Sequence, residues 1–506
     1  MEQPNDIEAS FLVPPAARAG VAAALARGVT TLQRGTLLTL HLDTADRRLA
    51  RAGLSWQLRR EGRRWVQVLA AEGGDGEPPF VHEAPQPAGT PDTAAHAGTP
   101  AGDRLAQLLQ RAQARGDEVG VRFSTQVRHT LRRMRSGGAV VELRFDDGWI
   151  AAAGQRQRLC ELRFRRVAGP DAALWALAER WRQPLGLLLD PRSAAARGER
   201  LADGKPAAAL RKAAGPGYAD DATAEVAFAA VLDECLAQIH GNAIGLIDGD
   251  AARRVEHVHQ MRVGIRRLRT ALRSFEDWVP APPAELVDGL RALFATLGEC
   301  RDGDVLGAGV VADLARAGAP PLEAPPGPAG PDPAAVLRGA DTQRLLLAWL
   351  AWRAMVAAAP APAEAAATGQ GEPALAAPPL RRRAARRLRR WHARIVAAWQ
   401  AFDALDEAGL HALRKRIKRQ RYAVEFFQPL LRRRQVARYL AALAAIQDRM
   451  GALNDLFVAQ ARYQALAVPG PAAWFALGWL AARIAALRAL AGPELARLAQ
   501  VDPPGA

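Results

Sequence analysis

The sequence predicts an α+β chain, with an antiparallel front domain of strands and a few helices followed by an all-α domain. Three observations carry this. Up to about Leu201, runs such as SWQLRR, RWVQVLA, AVVELRF and RLCELRFRR alternate with the period of two of half-buried strands. Beyond Gly217 nearly every segment has helical spacing. The helical part also holds two copies of one motif, so it is built from a repeated unit. At 506 residues the chain is too long for a single core.

In chain order, the front domain spans 1–205. An Ala/Gly/Pro stretch from Gly73 to Gly102 interrupts its strands and predicts a long loop. DRLAQLLQRAQARG, bracketed by Asp103 and Gly116, predicts a helix, and a second is expected over Asp171 to Arg182. Residues 206–218 read as a linker. The helical domain covers 219–500, with copies at 219–316 and 380–500 separated by Pro/Ala-rich stretches. The apolar tail Ala472 to Ala491 contains Arg483 and Arg488, and reads as an amphipathic bundle helix rather than a membrane span. Cys160, Cys235 and Cys300 are far apart, with no CxxC, which suggests a reducing compartment. MEQPNDIEAS has neither basic nor apolar signal character, so the expected location is cytoplasmic, with no membrane partner.

Lys+Arg number 68 against 52 Asp+Glu, a formal charge of +16, so polyanions are the expected partners. Arginine usage raised throughout the chain would give the same total; clustering decides. HQMRVGIRRLRTALRSF begins at His259, and HALRKRIKRQRYAVEFF begins at His411. Each is followed by a second match, LGECRD with Gly298 and Asp302, and MGALND with Gly451 and Asp455. At about 100° per residue, His259, Arg262, Arg266, Arg269 and Arg273 share one stripe, beside a core stripe of Met261, Ile265, Leu268, Leu272 and Phe275. His411, Arg414, Lys418 and Arg421 repeat the basic stripe. Like charges at these spacings repel, and a solvated face would mix signs. Two ladders almost free of carboxylates suggest that an anion supplies the missing charge. The two histidines are open to either reading, core-edge side chain or phosphate contact. RRRAARRLRRWHAR, Arg381 to Arg394, spreads arginines around most of its helix and reads mainly as a solvated face.

The pattern H-x-x-R-x-x-x-[RK]-x-x-R, twice, each followed by G-x-x-x-D, resembles the CHAD domain (conserved histidine α-helical domain) over roughly Ala219 to Leu498. The resemblance implies two pseudo-symmetric helical bundles whose basic faces line a cleft that binds inorganic polyphosphate, with polyphosphate granules as a further partner. It implies ligand contacts at His259, Arg262, Arg266, Arg269, Arg273, His411, Arg414, Lys415, Lys418 and Arg421. Glu425 stands where the second copy should match Arg273, so that ladder is shorter.

The front domain is similar to the CYTH family over about residues 5 to 205, on HLDTADRRLARAGLSWQLRREG, VHEAPQP, VVELRFDDGWIAAAG and RSAAARGERL. The resemblance implies an antiparallel β-barrel enclosing a triphosphate tunnel, and Mg- or Mn-dependent triphosphatase activity. Such chemistry needs cations for the phosphates and grouped carboxylates for the metal. The opening E-x-E-x-K is reduced to Asp6, Glu8 and Ser10; Gln57 and Arg59 replace a paired arginine motif, and Ala70 and Ala194 replace lysines. By the resemblance, Glu8, Arg59, Arg128 and Arg197 are residual catalytic candidates, and Glu142, Asp146 and Glu161 residual candidates for a metal. Arg163 and Arg165, however, replace carboxylates beside Glu161 and would repel a divalent cation.

The expected function is therefore polyphosphate binding without a cofactor, with a degenerate front domain. A Mg- or Mn-dependent inorganic triphosphatase is the alternative, and nucleic-acid binding a further one. At 6% aromatic residues, the chain offers few platforms for stacking bases. No Walker-type loop, G-x-S-x-G or H-E-x-x-H appears.

Overall fold

A computed structural model describes residues 8–28, 32–71, 73, 80–308, 310–320, 330–358, 378–465 and 470–505. Side chains at 301–308, 357, 358 and 471 lie outside that description, as does Asp6. The fold is α+β, and the chain divides into two compact units.

The first unit takes the chain to Ala209, together with Ile247–Asp250 and Arg338–Ala351. Its strands are β1 (Glu8–Leu12), β2 (Gln33–Thr44), β3 (Leu54–Glu61), β4 (Arg64–Ala71), β5 (Phe80–Gln86), β6 (Val119–Ser136), β7 (Ala139–Ala152), β8 (Gln155–Ala168) and β9 (Leu188–Leu189). They form one sheet in the order β5-β4-β3-β2-β6-β7-β8-β1-β9, antiparallel at every pairing. The expected barrel is not closed by backbone pairing among the described residues: β5 and β9 remain edges. Closure would need a last strand long enough to continue the ladder, and β9 has two residues.

Between the strands lie α1 (Arg18–Ala26), α2 (Arg48–Arg51), α3 (Pro100–Gln113), α4 (Asp171–Leu185) and α5 (Ala194–Ala202). Thr99 caps α3 by accepting a hydrogen bond from the Gly102 amide, and Pro100 sits at its first position. Two apolar clusters set the sheet's shape. Leu42, Leu49, Leu54, Trp56, Leu58 and Leu69 pack with Ala101 and Leu105 of α3. Phe123, Val127, Ile150 and Leu159 pack with Leu201 of α5. Gly198 lets α5 settle on the ring of Phe123, where any Cβ would collide.

The second unit comprises Leu210–Leu246, Ala251–Leu337 and Trp352–Ala506. Its helices are α6 (Ala224–Ile247), α7 (Arg254–Ser274), α8 (Ala284–Ala308), α9 (Val310–Arg316) and α10 (Pro333–Arg338), then α12 (Leu380–Gln400), α13 (Glu407–Phe427), α14 (Arg433–Gln464) and α15 (Pro471–Ala499); of α11 (Ala340–Ala358), the residues up to Ala351 are counted in the first unit. Part of the stretch read as a linker is fixed to this unit. The Ala214 carbonyl accepts from Arg267 (3.1 Å), and Tyr218 Oη donates to the Phe426 carbonyl (2.6 Å). Helix α15 is long and apolar enough to cross a membrane by length and composition; it packs along α14 and α12.

Candidate functional site: a cationic cleft between repeated helices

Helix α7 buries Val258, Met261, Ile265, Leu268 and Ala271, and α13 buries Leu413, Ile417, Gln420, Ala423 and Val424. These buried stripes fix the rotation of each helix, so the basic stripes share a direction. The repeat-equivalent Phe275 and Phe427 meet in the core with ring centroids 5.1 Å apart. Both ladders line one cavity of about 770 Å³. Nine of the ten proposed contacts border it: His259, Arg262, Arg266, Arg269 and Arg273 from α7, with His411, Arg414, Lys415 and Lys418 from α13.

Arg421 does not. It lies at the edge of the stripe, and its Nε donates to Glu425 Oε1 one turn on (3.1 Å). Arg419 takes the place, together with Tyr422 at the continuation of the ladder and Arg462 from α14. Spacing contains the signal for Arg419, which falls one turn after Lys415. Arg462 belongs to a segment without such a motif.

Phe294 of α8 was missed by the sequence reading and organises one ladder. Its ring lies beneath three guanidiniums, 4.2 Å from Arg262 and 5.9 Å from both Arg266 and Arg269. Arg262 Nη1 also donates to the Phe294 carbonyl (2.8 Å). The glycine of the first G-x-x-x-D element now has a reason: a Cβ on Gly298 would stand 2.6 Å from Arg262 Nη1. In the second copy, Asn454 Oδ1 engages His411 Nδ1 (2.9 Å), leaving Nε2 as the other polar position of the ring. Asp455 lines the cavity; the Asp302 side chain lies outside the described residues.

The site gathers many like charges. Arg266, Arg269, Arg273, Lys415 and Arg419 form no carboxylate ion pair among the described residues. Burial, then Arg291 and Arg273, push the Arg269 guanidinium below its usual range. Burial, then Arg273, Arg394 and Arg416, do the same to Arg419. Arg273 of one ladder is thus felt by Arg419 of the other. Arg267, two residues before Arg269, has the opposite fate. It is buried, pairs with Glu425, and donates to the Ala214 carbonyl.

The front sheet offers a contrast. Register places Asp146 opposite Glu161, Arg144 opposite Arg163, and Glu142 opposite Arg165 on one charged face. Glu8 joins that face opposite Arg165. Arg163 pairs with Glu161 and lies 3.7 Å from Glu8. Arg144 binds Asp146 (2.8 Å), while Glu142 receives Arg165 (2.7 Å) and Arg133 (3.0 Å). Burial would raise the Glu142 carboxyl, but hydrogen bonds from Arg165 and Arg133 outweigh it and hold it low. Burial raises Glu161, opposed by Arg163 and aided by Asp146. Arg59 is held by Glu61 and Glu83, both at 3.0 Å. Arg197 is buried on α5 and donates to the Arg158 carbonyl (2.5 Å).

Arg128 departs from its expected place. It lies opposite Asp147 and Thr36, whereas Asp146 lies opposite His129. Strand alternation therefore turns Arg128 to the other face of the sheet from the three carboxylates. Among the described residues, no three His, Cys, Asp or Glu side chains gather closely enough to hold a metal ion.

Residues 230–464 match the family described as the CHAD domain. Among solved structures, the chain is similar to the CHAD domain from the plant Ricinus communis, at 30% identity and TM-score 0.42, covering 57% of this chain and 96% of that one. A putative adenylyl cyclase from Hippeastrum, described as having a dominant triphosphatase activity, matches at 16% identity and TM-score 0.28, covering 40% and 96%. A putative adenylate cyclase from Bacillus halodurans matches at 11% and TM-score 0.26, covering 38% and 96%. No curated protein matches. The two ladders, and the helices that aim them at one cavity, thus lie within residues 230–464, which form a CHAD domain.

Proposed function

We propose that the helical cleft binds inorganic polyphosphate, and that the front unit is a CYTH-type domain whose triphosphatase site is lost. The observation carrying the first half is the convergence of both ladders on one cavity, where Arg266, Arg269, Arg273, Lys415 and Arg419 have no carboxylate ion pair among the described residues. A polyphosphate chain carries a negative charge at each repeat and no bases. It can lie between two cation ladders and relieve their mutual repulsion on both sides. Nucleic acid fits less well. Of the two aromatic rings lining the cavity, Phe294 is already covered by guanidiniums, leaving Tyr422.

For the second half, the carboxylates needed by a divalent cation are engaged by arginines. Glu161, Asp146 and Glu142 accept from Arg163, Arg144, Arg165 and Arg133, so binding a metal would first require breaking these pairs. The described carboxylates, held by arginines in this way, do not fit a metal-dependent triphosphatase.

The test is titration of the whole protein with long-chain polyphosphate at two salt concentrations. Affinity should fall with salt on a log–log slope of about −5 or steeper, as expected when several phosphates shed counterions. Arg269→Gln with Arg419→Gln should weaken binding roughly 10- to 100-fold without lowering the Tm of the free protein, because both guanidiniums are opposed by like charge. Unchanged affinity in that variant, or single-stranded RNA outcompeting polyphosphate at equal phosphate concentration, would overturn the assignment.

A further inference from the structure

The cationic surface continues past the cleft. Helix α12 carries eight arginines and no carboxylate in its 21 residues. Its buried face, including Ala384, Leu388, Trp391 and Ile395, anchors it in the helical unit. Arg387 serves that anchoring: it stacks 4.2 Å from the Trp278 ring and donates to the carbonyls of Arg273, Ser274 and Glu276.

The opposite face is different. Arg382, Arg386, Arg390 and Arg394 recur at every fourth position, all exposed, and none pairs with a carboxylate among the described residues. At 1.5 Å per residue the stripe is about 18 Å long. Four like charges one turn apart weaken an isolated helix, and a merely solvated face would intersperse acidic residues.

The stripe also has a defined beginning. Arg394 is tied to α13, which carries the second ladder: its carbonyl accepts from Arg416 Nη1 (3.4 Å). The cleft residue Arg419 stacks 4.9 Å from the ring of Trp391, one turn before Arg394. Arg394 and Arg416 are among the cations that act on the Arg419 guanidinium, so cleft and stripe share one continuous field.

We propose that α12 is a third cationic rail: a polyphosphate chain leaving the cleft near Arg419 runs outward along Arg394, Arg390, Arg386 and Arg382. This rests on the cleft reading and adds to it a preference for long chains over short ones. Arg382 is not part of the cavity lining, so a ligand that ends in the cavity makes no use of it, whereas a longer one gains contacts roughly in proportion to the phosphates it lays along α12.

The experiment compares tripolyphosphate with long-chain polyphosphate on the whole protein and on Arg382→Gln/Arg386→Gln/Arg390→Gln. The variant should lose about tenfold in long-chain affinity at low salt, with a shallower salt slope, and keep its tripolyphosphate affinity. Its Tm should be unchanged or slightly higher, since only exposed like charges are removed. An unchanged ratio of long-chain to tripolyphosphate affinity overturns the third rail. So does an equal loss for both ligands, which would mean a general field effect. The cleft is tested separately by Arg269→Gln/Arg419→Gln: tripolyphosphate binding that survives there sinks the cleft reading, whichever way the α12 comparison turns out.

Discussion

The charged face of the front sheet and the helical cleft are both rich in arginine, but those arginines find different partners. On the sheet, Arg133, Arg144, Arg163 and Arg165 each meet a carboxylate on the same or an adjacent strand. In the cleft, Arg266, Arg269, Arg273 and Arg419 meet other cations and aromatic rings. The number of arginines is therefore a poor guide to function. What matters is whether the fold has already supplied their counter-charge. A compensated guanidinium contributes to structure and specificity of packing, while an uncompensated one carries a standing electrostatic cost that a ligand can relieve.

The sharpest way to break this comparison lies within one helix. Arg267 is compensated and buried, whereas Arg269, two residues on, is not. Arg267→Ala should destabilise the protein by about 3 kcal/mol in chemical denaturation, because the buried side chain's hydrogen bonds to Glu425 and the Ala214 carbonyl are lost while Glu425 keeps Arg421. The Arg269 and Arg419 substitutions should instead leave stability intact. Equal stability losses from both would erase the distinction.

A second prediction concerns the sheet alone. His41 packs flat on Phe123, with ring centroids 4.0 Å apart, and burial lowers its pKa to about 4. The folded pKa lies below the unfolded value, so the unfolded state binds the extra proton first. The contribution of neutral His41 is fully present above about pH 6.5 and is lost as pH falls through about 4. The loss should approach roughly 3 kcal/mol by then. His41→Phe should flatten this part of the profile of stability against pH; a profile identical to the parent protein would show that His41 is not the group.

The smallest expected effect is a gain. Arg163→Glu with Arg165→Glu would replace the guanidiniums that occupy Glu161 and Glu142 by carboxylates. The variant should acquire weak Mn²⁺ binding, on the order of millimolar Kd by calorimetry, that the parent lacks. Tight Mn²⁺ binding by the parent, with phosphate released from tripolyphosphate, would show that its ion pairs open readily and that the front unit is not degenerate.

Much of the cleft was legible because its cause is local. A repeat every three or four residues puts side chains on one face of any helix, and two copies in phase with their apolar stripes had to present that face in the same way. The errors arose where the deciding partner is distant. Arg421 sits at the stripe's edge and was claimed by Glu425. Arg128 and His129 are neighbours in sequence but face opposite sides of the sheet, which strand register alone decides. Phe294, beneath three guanidiniums, carries no charge and follows no motif that would mark it. Among the described residues the sheet ends in β5 and in a two-residue β9, and strand length is a matter that composition does not reveal.

The sequence by itself determined the α+β division, the paired basic stripes and the rotation of each stripe against its core, since periodicity is a property of neighbouring residues. Only the tertiary structure decided which arginines find a counter-charge. Arg267 and Glu425 are far apart along the chain yet form an ion pair, while Arg269 and Arg419 have none among the described residues and are acted on by other arginines. Coulomb energy depends on separation in space and on how much water lies between the charges, and folding alone sets both.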